Sequence, residues 1–234
     1  MRPPERSRSG STAERGSLPA RGGGLRERNR QDKLARIKAA TRELFDELGF
    51  DRATTRAIAE RAHVGLGTLF NYADDKRDLV FLIFNEELDR ITDTAFAAVD
   101  PHLTLAEQLA SAFGVFYREF AASPTLSRIL LQEMTFYSHG KLAGDFQRSK
   151  RRTIGFVEQL VAAAQRAGRL RANEDPAVLA LSLFFLYSGA VRYWIAGERP
   201  NPRKGVEELR RMLELHLRSL VPPSPGRSRP ARAR

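Results

Sequence analysis

A short segment of the chain carries side chains that could bond to DNA. Asn71 offers an amide that can pair with the edge of an adenine, and Thr68 offers a hydroxyl for a base or a phosphate. Gly67 permits close approach of the backbone, and Leu66 can contact the methyl group of a thymine. On a helix over 66–72, these four residues would face away from the core. Their chemistry therefore indicates contact with the major groove of DNA.

Two short helices joined by a tight turn would position this segment. Thr54 or Thr55 can cap the first helix with its hydroxyl, and the apolar residues that follow share one face: Ile58, Ala59 and Ala62. The pattern breaks at 63–65 and a second apolar face resumes at Leu69. A turn this short between two short helices is typical of a helix-turn-helix motif.

The contact between the two helices and the start of the first one can also be interpreted. Ala59 is small enough for the helices to cross closely, and Leu69 would fill the space between them. A larger residue at 59 should push the helices apart. Thr55 and Arg56 lie at the start of the first helix, where free backbone N–H groups attract a phosphate.

Residues 30–84 resemble the N-terminal domain of the TetR family of bacterial transcriptional regulators. The resemblance rests on LFDELGFD at 44–51, TT at 54–55, IAERA at 58–62, GTLFNY at 67–72 and KRDL at 76–79. It implies an all-α TetR-like fold with a three-helix DNA-binding head, a larger domain that binds a small effector, and a homodimer interface near the C-terminus. It also implies phosphate contacts at Tyr72 and Lys76.

Four positions of the motif depart from the family pattern. His63 stands where glycine is usual, although histidine is among the residues that tolerate a positive φ. Gly65 replaces the usual serine cap, and glycine is a weaker but acceptable cap. Phe70 replaces tyrosine and so lacks a hydroxyl for a phosphate, and Ala73 replaces phenylalanine. We expect weaker DNA contacts, with Phe70 still a candidate contact, rather than a lost function.

The net charge of +11 is concentrated at the two ends of the chain. Residues 1–30 carry eight arginines against three glutamates, and residues 222–234 carry four arginines, which leaves only +2 between them. Residues 1–25 and 222–234 are rich in Pro, Gly, Ser and Arg, a composition that predicts disorder. The N-terminal arm is either a flexible clamp on DNA or a solubilising extension.

The remaining sequence is helical throughout, and about nine helices are expected. Beyond the motif, apolar periodicity predicts helices at 30–48, from 74 or 75 to 100, and at 104–121, 125–138, 142–167, 176–196 and 203–220. Asp175 and Asn201 each precede a proline and can cap a helix, and Gly168 is a clear stop. We expect a DNA-binding domain at 26–90 and an effector-binding and dimerisation domain at 91–221.

The segment 177–195 is nearly long and apolar enough to span a membrane. Arg192, Ser182, Ser188 and Gly189 make it a poor membrane span, so no membrane association is expected. A helix that is apolar on all sides is also typical of a buried interface. Together with the amphipathic helix at 203–220 it would form half of a four-helix homodimer interface.

The second domain is rich in aromatic residues, which at helical spacing are more often plain core than a binding site. Collectively, however, they could line a pocket for a small apolar or aromatic effector. The candidate lining residues and polar anchors are Phe113, Phe116, Tyr117, Phe120, Gln132, Phe136, Tyr137, His139, Phe184, Tyr187 and Arg192.

Other classes of function are less well supported by the residues. The chain has no cysteine, which excludes disulfides, thiolate zinc sites and cysteine nucleophiles, and its four histidines lack a paired metal-ligand spacing. We therefore expect neither an enzyme nor a bound metal or cofactor. The resemblance implies a cytoplasmic bacterial regulator, more commonly a repressor, and we expect it to bind a near-palindromic operator. Because the long fourth helix would connect the DNA-binding head to the effector domain, we expect effector binding to act through this helix and release the operator. The alternative is a nonspecific nucleic-acid-binding protein that acts through its basic tails.

Overall fold

The computed structural model of the chain describes residues 22–222, and this part of the chain is built from nine α-helices without a β-strand. The helices are α1 (Gly22–Arg52), α2 (Thr55–Arg61), α3 (Leu66–Leu69), α4 (Lys76–Ala97), α5 (Leu105–Ala122), α6 (Pro124–Glu133), α7 (Ala143–Arg166), α8 (Pro176–Ile195) and α9 (Pro202–Leu217). The predicted all-α fold is confirmed. Most of both predicted tails, residues 1–21 and 223–234, lies outside the described residues.

The helix starts show why sequence reading worked for most elements. Thr54 caps α2 by accepting a bond of 3.1 Å from the N–H of Ala57, and Asp75 caps α4 by accepting one of 2.8 Å from the N–H of Asp78. The predicted caps of α8 and α9 are also present, at Asp175 and Asn201. A fifth start, the capping box of Thr104 with Glu107, was not predicted.

Several helix boundaries differ from the prediction, most of all the start of the first helix. The first helix begins at Gly22 instead of Arg30, and its early turns carry a Glu27–Arg30 ion pair of 2.8 Å, an i,i+3 contact that stabilises a helix. The helix predicted over 66–72 is α3, which has only four residues. Residues 70–72 form turns and do not continue the helix. The sixth helix ends at Glu133 instead of 138, since the chain then forms a loop against α4.

The helices α1, α2 and α3 and the start of α4 form the head. Its core contains side chains that are completely buried, namely Ile37, Phe45, Ile58, Leu69 and Leu79. The body consists of the rest of α4 and the helices α5–α9, with α5 packed mainly on α9 and α4, and α7 packed mainly on α8. Because α4 contributes to both parts, it joins the head to the body.

The helix α8 is the one helix in residues 22–222 whose length and composition would allow it to cross a membrane. A core helix of a soluble protein passes the same test. One side of α8 packs in the body through Leu183 and Val191, whereas Val178, Phe185 and Tyr193 are exposed. The exposed side is therefore apolar as well, as expected for a helix that meets another surface.

Candidate DNA-binding and effector sites

The turn between α2 and α3 has the predicted geometry. His63 has a φ of 52°, in the left-handed region that histidine tolerates better than most residues. Gly65 caps α3 with an extended backbone and, having no side chain, leaves that cap without a side-chain hydrogen bond. The guanidinium of Arg36 donates to the carbonyls of Ala62 at 3.1 Å and His63 at 3.2 Å. These bonds tie the turn to α1.

The contact between α2 and α3 also follows the sequence prediction. Ala59 is 2% exposed and Leu69 is completely buried, so the small side chain allows the crossing and the large one fills it. Ala73, where the family commonly has phenylalanine, is completely buried as well. In this chain, the side chain of Ala73 is therefore part of the core.

The cap at Thr54 gives a prediction for the stability of the head. In Thr54→Ala the N–H of Ala57 loses its partner, so the free energy of unfolding should fall by about 1 kcal/mol. Urea denaturation measures this change. Thr94→Ala is the matched control, because Thr94 lies inside α4 and bonds back to the carbonyl of Arg90, where alanine is the better helix former. An equal loss in both variants would contradict the capping role.

The nine candidate DNA contacts all retain access to solvent. Four are exposed, namely Arg56, Gly67, Phe70 and Asn71, and five are half-buried, namely Thr55, Leu66, Thr68, Tyr72 and Lys76. Phe70 is 38% exposed, so its side chain is not part of the head core. The candidate contacts in α3 and on either side of it are therefore accessible to the major groove of DNA.

Two of these candidates make internal hydrogen bonds that the sequence did not indicate. The ammonium of Lys76 donates to the carbonyls of Phe50 at 2.6 Å and Asp51 at 3.2 Å, which leaves one of its three donors for a phosphate. The hydroxyl of Tyr72 donates to the carbonyl of Arg30 at 3.1 Å. Tyr72 would have to release this bond in order to donate to a phosphate.

A cavity of about 300 Å³ lies in the body between α4, α5, α6, α7 and α8. Five of the predicted pocket residues line it: Phe116, Phe120, Phe184, Tyr187 and Arg192. Burial raises the pKa of Tyr187 well above its usual value and lowers the pKa of Arg192. The Arg192 guanidinium donates to the carbonyl of Ser188 at 2.9 Å and to the Ser188 hydroxyl at 2.5 Å.

The other six predicted pocket residues lie outside this cavity. Phe113 lies behind the wall and stacks on Tyr187 at 3.9 Å, and Tyr117 packs against Trp194 on the α9 side of α5. Aromatic content alone could not separate the wall from the core behind it. Gln132 and Phe136 line a groove beside the cavity, His139 is exposed on the α6–α7 loop, and Tyr137 is buried against α4.

The cavity also has lining residues that the sequence reading missed. Ser149, Lys150 and Thr153 line it from α7, although they belong to a polar stretch of the sequence. Ser149 and Thr153 fall on the same helical face as the buried Phe146 and Val157. Because small hydroxyl residues interrupt an otherwise apolar face of α7, the sequence could have indicated that this face lines a cavity.

A loop joins the cavity to the head. The α6–α7 loop, residues 134–142, begins at Met134 in the cavity wall and then packs on the start of α4. The hydroxyl of Tyr137 donates to the buried carboxylate of Asp78, and the N–H of Lys141 donates to its other oxygen at 3.0 Å. The Lys141 ammonium donates to the carbonyl of Phe70 at the end of α3. The loop therefore contacts the cavity, α4 and α3.

Comparison with known proteins supports both the head and the whole fold. Residues 37–83 match the family model described as bacterial regulatory proteins, tetR family. The uncharacterized HTH-type transcriptional regulator YhgD of Bacillus subtilis is 24% identical over 181 residues, which cover 77% of this chain and 92% of YhgD.

Solved structures extend the likeness to the body. FadR of Bacillus subtilis in complex with stearoyl-CoA has a TM-score of 0.62 and 18% identity, over 78% of this chain and 97% of that one. FadR of Thermus thermophilus, a TetR-family repressor in complex with lauroyl-CoA, has a TM-score of 0.59 and 22% identity, over 83% and 98%. Residues 37–83 therefore carry the N-terminal domain of the tetR family of bacterial regulatory proteins, and the fold of the whole described chain resembles that of these solved regulators.

Proposed function

We propose that this regulator is a homodimeric repressor that reads a near-palindromic operator and is released from it by an apolar effector. The observation that carries the proposal is the exposed helix-turn-helix, whose recognition helix is held from behind by a fully buried Leu69. Asn71 and Thr68 supply the base and phosphate contacts, with Leu66 and Gly67 beside them in the groove. Thr55 and Arg56, at the start of α2, supply a phosphate contact.

The proposed dimer interface is the outer surface of α8 and α9. This surface exposes large apolar side chains on both helices, namely Val178, Leu181, Phe185, Tyr193, Met212 and Leu215. Burying them against the same face of a second copy would make a four-helix interface. The two heads could then meet successive major grooves about 34–36 Å apart.

The proposed effector site is the cavity between α4 and α8. Its wall is largely aromatic and aliphatic, which favours an apolar ligand. The two FadR neighbours were solved with acyl-CoA molecules, so the same fold accepts ligands with long apolar chains. A ligand of this type, rather than a compact aromatic one, is the effector that we propose.

Two routes connect the proposed effector site to the head. Leu88 and Thr92 line the cavity from α4, whose first turn packs in the head through Leu79. The α6–α7 loop makes the second route, from Met134 at the cavity to Asp78 and Phe70. An effector that favours one position of these elements would change the affinity for the operator.

The operator can be found by selecting bound fragments from random DNA at about 150 mM salt, a concentration that suppresses purely electrostatic binding. The full chain and a variant that lacks 1–21 and 223–234 should both enrich the same near-palindrome. If binding requires the tails and no shared motif emerges, the alternative of a nonspecific basic nucleic-acid-binding protein is the correct one.

The role of Asn71 gives a second prediction for the selected operator. Asn71→Ala should weaken operator binding by roughly 10- to 100-fold, because a bidentate contact to a base contributes about 1–3 kcal/mol. Fluorescence anisotropy at constant salt measures the change. Asn173→Ala is the matched control, since Asn173 is exposed on the loop between α7 and α8. Equal affinity of the two variants would remove Asn71 from the interface.

A further inference from the structure

Arg192 is a half-buried cation that faces the cavity without an acidic partner. Its hydrogen bonds among the described residues go to the carbonyl and hydroxyl of Ser188, and it forms no ion pair within residues 22–222. By contrast, Arg77 pairs with Glu133 at 2.7 Å in the adjacent groove. A guanidinium that is partly removed from water and lacks a counter-charge is a destabilising arrangement unless an anion completes it.

Lys150 is a second cation in the same wall. It is half-buried on α7 and, within the part of the chain that is described, it forms no ion pair. None of the cavity-lining residues is an aspartate or a glutamate. The remaining polar groups of the wall are hydroxyls, among which that of Ser149 can donate a hydrogen bond to an anion, whereas that of Thr153 donates to the carbonyl of Ser149 at 3.1 Å. The polar side of this cavity is therefore positive.

The part of the cavity wall that α5 contributes is apolar, in contrast to the positive polar side. Phe116 and Phe120 project from this helix, and Phe184 from α8 adds a third ring. The cavity thus combines an apolar wall with two cations that have no counter-charge. A ligand complementary to both has an apolar chain and an anionic head.

We propose that the effector is an amphipathic anion whose carboxylate or phosphate is bound by Arg192 and Lys150. The inference rests on the proposed function, in that it assumes that this cavity is the effector site. Charge-assisted hydrogen bonds to the guanidinium fix the head of the ligand. The chain of the ligand lies against the rings of α5.

The groove next to the cavity leaves room for a larger head group. Its volume is about 690 Å³, and it shares Arg192, Leu131 and Thr135 with the cavity wall. Arg128 lies in this groove with its guanidinium bonded at 2.8 Å to backbone carbonyls instead of a carboxylate, and Phe136 is 80% exposed there. The anion is thus either the acid itself or a phosphorylated carrier that extends into the groove.

The test compares three ligands that share one chain length: dodecanoate, dodecanol and lauroyl-CoA. Isothermal titration calorimetry with the full-length protein should show that dodecanoate, lauroyl-CoA or both bind roughly 10- to 100-fold more tightly than dodecanol. Arg192→Gln and Lys150→Gln should each reduce this preference by roughly tenfold and leave the affinity for dodecanol unchanged. Arg151→Gln, an exposed neighbour on α7, is the matched control and should change neither affinity.

Each outcome decides between the alternatives. A preference for lauroyl-CoA alone would assign the anion to the phosphorylated carrier, and a preference for dodecanoate to the free acid. If dodecanol binds as tightly as both anions, the anionic head is wrong while the apolar effector stands. If none of the three binds or releases the operator, the proposed effector function fails as well. If Arg192→Gln weakens subunit association and keeps the preference for the anion, Arg192 pairs across the dimer and the inference is overturned.

Discussion

Replacing Asp78 with alanine should lower the free energy of unfolding by about 3–5 kcal/mol, because three donors would lose their shared, completely buried acceptor at once. Asp78 is completely buried at the start of α4. Its carboxylate accepts bonds from the hydroxyl of Tyr137, from the N–H of Asp74 at 2.8 Å and from the N–H of Lys141 at 3.0 Å. In the variant, the buried hydroxyl of Tyr137 and the two partly buried N–H groups would lose this acceptor.

Urea denaturation of Asp78→Ala measures this loss, and Asp89→Ala on the exposed side of α4 is the matched control. The control should change stability by no more than about 0.5 kcal/mol, as is usual for surface positions. A similarly small effect of Asp78→Ala would mean that the α6–α7 loop contributes little to the fold.

Tyr137→Phe separates the stability of this loop from its role in signalling. The variant keeps the ring that stacks on Phe81 at 3.6 Å but removes the donor to Asp78. Burial and the carboxylate both raise the pKa of Tyr137, so its hydroxyl is protonated and donates in the native protein. If the loop transmits the effector signal, Tyr137→Phe should bind the effector normally and release the operator less completely.

Features that depend on residues close together in the sequence could be predicted, and most features of the head are of this kind. Caps such as Thr54 and Asp75 act within three residues, and the His63 turn depends on one backbone conformation. The crossing of α2 and α3 joins Ala59 and Leu69, which are only ten positions apart in the sequence. For this reason, residue spacing and cap chemistry sufficed there.

The cavity and its link to the head depend on contacts that sequence spacing does not encode. Tyr137 bonds to a carboxylate that lies 59 positions earlier. Gly140 has a φ of 122°, and a Cβ on it would lie 2.3 Å from that same carboxylate. These contacts end α6 at Glu133, whereas the apolar pattern alone predicted a helix to 138. The sequence did not indicate Lys150 as a lining residue for the same reason, since only the packing of α7 places it in the cavity wall.

Gly205→Ala should lower the free energy of unfolding by about 3 kcal/mol, at the upper end of the effects of overpacking. A Cβ at this position would lie 2.6 Å from the Tyr117 ring and 2.6 Å from Cδ1 of Trp194. Tyr117 is completely buried, and the Trp194 indole donates to the carbonyl of Asn201 at 2.9 Å, so neither ring can move aside easily. The helix α9 would have to shift away from α5.

A loss of stability would be informative, because alanine inside a helix otherwise stabilises it by about 1 kcal/mol relative to glycine. Gly155→Ala on α7 is the matched control, since a Cβ there meets no atom within 4 Å. Thermal or urea denaturation should therefore show a loss for Gly205→Ala and a small gain for Gly155→Ala. Sedimentation of Gly205→Ala should also show weaker subunit association, because a displaced α9 would no longer present Met212 and Leu215 as part of the proposed interface. A gain in both variants would mean that α5 and α9 are not in close contact, and a stability loss with unchanged association would place the dimer interface elsewhere.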